Sequence, residues 1–400
     1  MTTTERTMTK DTRNVESKYT CMSLPSFMGD GDPYTWEELQ AIEGRRREIL
    51  KRVESPFWRI LCYWDGTCLK VLATDALLWA TLIIYGLVRW YTLAGDLPEY
   101  LVELDDSNID IIGGFLSFFL VLFVNQSQAR FNTMYSRSME VEEHIEEVAS
   151  IVACYLPKAD AHRMVRYLNA AHAAGYVGLA SDTYSTRSFF MELNKRYKFL
   201  TETELKRMSQ IGMEKGADCM RELLMWAIKE VQIAQEKGII DARMSGETRD
   251  KIQKFRGAMM SLYHHKDQPV HFFYIHFLAL LTIFYLPLFA VATAYGVGGR
   301  VENVRWTSEL LSAMIVFLQA VFVIGLRLLG QVMVDPYGDD VEDLSVLHYI
   351  QHAWLSSNRI LATQFPSDLD SKTEDDIMNK RSTIGQAWEK SSQNESPFLA

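Results

Sequence analysis

The chain has 400 residues, 48% of them hydrophobic and 23% charged, with 41 basic against 51 acidic side chains and a formal net charge of −10. That composition excludes a largely disordered chain and argues against a general nucleic-acid binder. The cysteines, Cys21, Cys62, Cys68, Cys154 and Cys219, show no paired spacing, which speaks against a disulfide framework and against a CxxC metal or redox motif.

A mean hydropathy of −0.07 conceals strong segregation of apolar residues along the chain. Residues 1–44 are polar and lack an apolar core behind a basic start, so no secretory signal is expected. Glu5, Asp11 and Glu16 also argue against a chloroplast-type targeting segment. The run EELQAIEGRRREILKRVESPFW reads as helical, with Pro56 as a kink or a first-turn residue. Four stretches then qualify as bilayer spans, each of which needs about 20 apolar residues. They are 69–90, which holds one acid, Asp75; 109–129, whose apolar part ends at Val124; 270–297, broken by Pro287; and 308–329.

Arg45, Arg46, Arg47, Lys51, Arg52 and Arg59 precede the first span, whereas Asp96, Glu99, Glu103, Asp105 and Asp106 fill the next connection without a Lys or Arg. The positive-inside rule places the N-terminus in the cytosol and that connection outside, and four crossings return the C-terminus inside. Residues 130–268 read as cytosolic helices. SMEVEEHIEEVASIVACYL and FLTETELKRMSQIGMEKGADCMRELLMWAIKEVQIAQ carry the helical apolar period, with loops near Ser181–Ser188 and Lys237–Glu247. Residues 330–365 continue this region, and 366–400 form a polar tail expected to be mobile. The fold class expected is an all-α, multi-pass membrane protein with four transmembrane helices and a large helical cytosolic region.

Within the second span Gly114, Phe118 and Leu122 recur every four residues and share one helix face, with Phe115, Phe119 and Phe123 on a neighbouring face. Such a stripe is either a helix-packing surface or, in a symmetric ring, a stack of apolar collars that gates ions by dewetting. Gly113-Gly114 is a close-packing point or a hinge. Asn125, Gln126, Ser127 and Gln128 are costly against lipid and suit a water-filled passage. Arg130 is an interfacial anchor or ion-pair partner, or else touches an anion. After the fourth span, DPYGDDVEDL forms a turn followed by Asp339, Asp340, Glu342 and Asp343. These groups suit a hard cation such as Ca²⁺, or simply an acidic helix start. His264, His265, His271 and His276, and the i,i+4 pair His348 and His352, invite a metal reading, yet no HExxH accompanies them. A P-loop, a Rossmann fingerprint and a GxSxG elbow are absent too, so no enzyme is expected.

RILCYWDGTCLKVL, LFVNQSQARF, FLQAVFVIGLRLL and DPYGDDVEDL, in this order across residues 45–365, together resemble the bestrophin family of anion channels. The resemblance is to a divergent member, of an algal or other protist kind. It implies a homopentamer in a lipid bilayer, plasma or chloroplast (thylakoid), that conducts chloride and related monovalent anions. By the same resemblance, Gly114, Phe118 and Leu122 line the neck, Asn125, Gln128 and Arg130 flank it, and Ile239 forms a lower cytosolic aperture. A calcium clasp, with one calcium ion per subunit, is implied at the side chains of Asp340 and Asp343 and the carbonyls of Val332, Asp335 and Leu50. Calcium either gates conduction or is structural. Gly114 stands where the family carries a bulky apolar residue, and Asn125 and Gln128 replace basic or aromatic neighbours. A bicarbonate-preferring or poorly selective channel, or a non-conducting scaffold, therefore stays open.

Overall fold

Hydrocarbon offers the main chain no hydrogen-bond partners, so a spanning segment satisfies its own N–H and C=O groups in a helix or a closed barrel. The computed structural model describes residues 36–61, 63–64, 67–94, 106–179, 187–210, 216–298, 306–337 and 343–363. All regular structure among them is helical. In chain order the α-helices are α1 (Trp36–Lys51), α2 (Phe57–Leu61), α3 (Cys68–Thr74), α4 (Ala76–Ala94), α5 (Asp106–Tyr155), α6 (Lys158–Leu179) and α7 (Arg187–Tyr197). There follow α8 (Glu202–Gln210), α9 (Gly216–Glu236), α10 (Ala242–Asp267), α11 (Phe272–Gly298), α12 (Trp306–Val332) and α13 (Val346–Leu361). Helices α4, α5, α11 and α12 are long and apolar enough to cross a bilayer. The chain is an integral, multi-pass membrane protein.

The membrane helices depart from the sequence expectation in three places. The first span does not run unbroken from residue 69, because Asp75 separates α3 from α4. Its carboxylate accepts the Leu77 N–H at 2.8 Å, capping α4, and pairs with Arg327 of α12 at 2.9 Å. A carboxylate serves better at a helix N-terminus than inside the helix, where orphan N–H groups and the dipole both favour it. Second, α11 runs through Pro287 without a break. Third, α5 does not stop at the membrane boundary. It is one helix of 50 residues, about 75 Å long at 1.5 Å per residue. No proline interrupts it until Pro157, just past its end. Pro56, by contrast, heads α2, accepting the N–H groups of Arg59 and Ile60 at 2.8 and 3.2 Å.

Antiparallel α4 and α12 are pinned at both ends. Opposite the Asp75–Arg327 pair, Arg89 Nε donates to Glu309 at 2.7 Å, and between them the Tyr85 hydroxyl meets Ser312 at 2.6 Å. Charges inside a membrane protein survive when paired, and both of these are.

Beyond the membrane, the second half of α5 joins α6–α10 and α13 around a second apolar core. Helix α6 is its axis, with every residue from Tyr167 to Leu179 buried. Its NAAHAAG run of small side chains allows neighbours on all sides to approach closely. The loop expected over Lys237–Glu247 is shorter, because Asp241 caps α10 by accepting the Met244 N–H at 2.7 Å. Gly238, at φ +69, supplies the left-handed residue that closes the preceding turn. The loop expected at Ser181–Ser188 lies largely, and the tail expected over 366–400 wholly, outside the described residues, and of the polar segment 1–44 only 36–44 is described, as the start of α1.

An ion pair fastens α6 to α8. Burial works to raise the Glu204 carboxyl, but hydrogen bonds from the Arg166 guanidinium, the Thr201 N–H and the Tyr167 hydroxyl outweigh it and hold the pKa at about 2. A depressed acid contributes fully above its unfolded value of 4.5 and loses that contribution as pH falls toward about 2. The melting-temperature advantage of the native chain over Glu204→Gln should therefore be constant at neutral pH and narrow between pH 4.5 and 2. A difference that stays flat across this window would show that the pair carries no such weight.

Candidate functional site

The two sides of α5 have different fates. Leu116, Leu120, Phe123 and Ser127 form a buried line against α11 and α12, continued beyond the membrane by Met134, Ser138, Val141 and Ile145. At 100° per residue, the opposite line runs through Ile111, Phe118, Leu122, Asn125 and Ala129. Phe118 is 58% exposed and Leu122 43% exposed, while Asn125 and Gln128 are open as well. The neighbouring phenylalanines divide. Phe115 is exposed, but Phe123 is buried beside Tyr274, and Phe119 packs on Phe277, with its carbonyl accepting the Tyr274 hydroxyl at 2.7 Å. Ser127 faces the packing line and not the open one.

The paired glycines divide in the same way. A Cβ on Gly113 would lie 2.5 Å from the Tyr285 hydroxyl, so α5 and α11 touch there, whereas nothing stands within 4 Å of one on Gly114. Ile239 is half-buried at the tip of the α9–α10 turn, its N–H donating to Ala234 at 3.0 Å.

At the foot of the open line, the half-buried Arg130 turns away from it. Its guanidinium donates to the carbonyls of Val334 at 3.0 Å, Gln268 at 2.9 Å and His265. These lie in the turn after α12, after the end of α10, and in the last turn of α10. Arg130 thus satisfies carbonyls that helix ends leave orphaned. Asp335 acts electrostatically on the same guanidinium.

The acidic turn is held at three points. The Leu344 N–H donates to the Pro336 carbonyl at 2.8 Å and closes it. Tyr337 is buried in the extramembrane core, where its hydroxyl pairs with Ser138 of α5. Ser345 caps α13 by accepting the His348 N–H at 3.1 Å and donates to Glu43 of α1. Asp343 is buried and lines a cavity of about 550 Å³ together with Leu50, Glu43 and Asn132. The structure therefore brings Leu50 and Asp343 together. Val332 and Asp335 stand at the other arm of the turn and do not line that cavity, and Asp340 lies outside the described residues. Carboxylate and carbonyl oxygens are the donor set that calcium takes, and of the five expected donors the described residues place Leu50 and Asp343 on one cavity.

Among the described residues, Glu142, Glu146 and His352 form a group able to hold a metal ion. Sequence reasoning saw His352 only beside His348, because its carboxylate partners lie some 200 positions earlier. The three acceptors of Arg130 were equally invisible, being main-chain groups without a residue signature.

Residues 47–363 match the family described as bestrophin, RFP-TM, chloride channel. The chain belongs to the bestrophin family. It is 22% identical over 301 residues to bestrophin homolog 24 of Caenorhabditis elegans, covering 72% of this chain and 45% of that one. Bestrophin homolog 22 of the same worm is 21% identical over 332 residues, covering 78% and 62%. The chain thus spans less than two thirds of the length of these relatives. Among solved structures, a bacterial bestrophin homologue from Klebsiella pneumoniae superposes with a TM-score of 0.60 at 16% identity, over 72% of this chain and 98% of that one. That likeness shows the fold. The family is one of channels and not of enzymes, in agreement with the sequence reading.

The unequal glycines give a paired prediction. Gly113→Val should destabilise this bestrophin by about 1–3 kcal/mol through overpacking against Tyr285, and Gly114→Val should leave subunit stability within about 0.5 kcal/mol. Thermal unfolding in detergent measures both, and equal losses would contradict the two-sided packing of α5.

Proposed function

We propose that this bestrophin is a passive anion channel in which five copies of α5 surround the conduction path. One observation carries the reading. The open line on α5 changes from apolar (Ile111, Phe118, Leu122) to amide (Asn125, with Gln128 exposed on the adjoining face) down its length, and these residues stay largely exposed among the described residues of their own subunit. Amides at that depth are unfavourable against lipid but favourable against water, and a ring of helices around an axis gives both halves of the line a suitable environment.

Gly114, Phe118 and Leu122 then form an apolar neck that an anion crosses by rearranging its hydration. The Asn125 and Gln128 N–H groups restore polar contact below it. Ile239, at the α9–α10 tip, narrows the path again in the extramembrane bundle. That bundle lies on the cytosolic side, because the basic cluster Arg45–Arg47, Lys51, Arg52 and Arg59 precedes the first crossing. Chloride and related monovalent anions are the permeant class. Amides that both donate and accept favour a second reading, that of weak discrimination including bicarbonate.

Calcium, when held by Asp340, Asp343 and the carbonyls of Val332, Asp335 and Leu50, supplies positive charge at the acidic turn. The chain's own link from that turn to the neck is Arg130, whose bond to the Val334 carbonyl fastens the turn to the foot of α5.

Recordings from purified protein in planar bilayers, with asymmetric chloride or bicarbonate and calcium varied, test this function. We expect reversal potentials that follow the anion gradient and a several-fold change in conductance or gating in Phe118→Ala. No current from an intact oligomer would overturn the channel, and reversal that tracks cations would overturn its selectivity. Asp340→Asn with Asp343→Asn should weaken calcium dependence. Arg130→Ala should keep calcium binding while conduction loses its response to calcium; loss of binding itself would place Arg130 in the site and not in the link.

A further inference from the structure

Helices α5 and α13 pack side by side in the extramembrane bundle. They bring together Glu142 and Glu146, four residues apart on one face of α5, and His352 from the second turn of α13. One ligand atom from each lies within 4.8 Å of the others, and the His352 Nδ1 contacts the Glu142 carboxylate. Glu142 is buried, Glu146 half-buried and His352 exposed, so the cluster has a fixed floor and an accessible mouth.

Two carboxyl groups one turn apart on the same face of α5 and one imidazole of α13 are gathered here. Like charges at that spacing destabilise a helix, and a divalent cation between them offsets the repulsion. The mixed donor set also narrows the metal. Calcium and magnesium prefer oxygen alone, whereas zinc takes imidazole nitrogen and carboxylate oxygen at about 2.0–2.2 Å in tetrahedral sites. Neighbouring ligands of such a zinc stand about 3.3 Å apart, a distance that glutamate side chains reach from 4.8 Å by small rotations. One turn earlier stands His348, its ring centre 5.9 Å from that of His352.

We propose that Glu142, Glu146 and His352 form a zinc-class divalent-cation site that fastens α13 to the long helix α5. It differs from the acidic turn in its donor set, and its ligands come from two helices. Its existence does not depend on the channel reading.

The test uses the full chain, solubilised as the intact oligomer and stripped with a chelator. Zinc is titrated calorimetrically with calcium held at about 1 mM to saturate oxygen-only sites. The expected result is one zinc per chain, with affinity at least about tenfold weaker in His352→Ala and Glu142→Gln and unchanged in Asp250→Asn, an exposed acid elsewhere. Zinc should also raise the melting temperature of the native chain and leave that of His352→Ala unmoved. If Glu142→Gln does not fold, Glu146→Gln carries the same measurement. Absence of zinc uptake, or equal uptake in the native chain and the ligand variants, would overturn the site and leave an ordinary ion pair. A thermal shift with calcium but not with zinc would overturn the choice of metal.

Discussion

Where α5 leaves the membrane, the Arg130 side chain takes up the carbonyls of His265, Gln268 and Val334. Each lies at or just beyond the C-terminal end of another helix, where carbonyls lose their intrahelical partners and the dipole favours a cation. A planar guanidinium with five N–H donors can serve several such ends at once, and lysine cannot reproduce that geometry. The approach of α10 to α11 and the exit from α12 thereby converge on one side chain of α5.

Two cores lie on either side of it. In the membrane, Leu116, Leu120 and Phe123 pack with Leu286, Val323 and Ile324, and the close contacts at Gly113 and Gly330 draw α11 and α12 onto α5. Beyond the membrane, the buried axis of α6 gathers α5, α9, α10 and α13. Because α5 belongs to both cores without a joint, neither can rotate independently of the other. Tyr337 adds a second tie, anchoring the acidic turn in the extramembrane core through Ser138 of the same helix.

The four apolar stretches and the helical character of the rest were legible in the sequence, since hydropathy and the 3.6-residue period are local properties. The four-residue recurrence of Gly114, Phe118 and Leu122 was legible too, but not which side of it would stay open. That choice depends on Tyr285 filling the space beside Gly113, some 170 residues away. The break at Asp75 was hidden for a similar reason. An acid in an apolar run looks like a tolerated exception until Arg327 is seen beside it. Pro287 misled in the opposite direction, because helix propensity learned in water overstates its effect where no solvent competes for the backbone. The grouping of Glu142 and Glu146 with His352 rests wholly on how α13 returns to α5, and no pattern along the chain encodes that.

The unequal sides of α5 have an evolutionary consequence. Residues on the buried line are constrained by the folding of each subunit, so changes there are filtered before any assembly exists. Residues on the open line stay largely exposed within their own subunit, and among the described residues a Cβ on Gly114 would meet nothing within 4 Å. In the proposed channel, variation along that line is answerable chiefly to assembly and permeation. A lineage could thus retune what passes through the proposed ring while inheriting its scaffold unchanged.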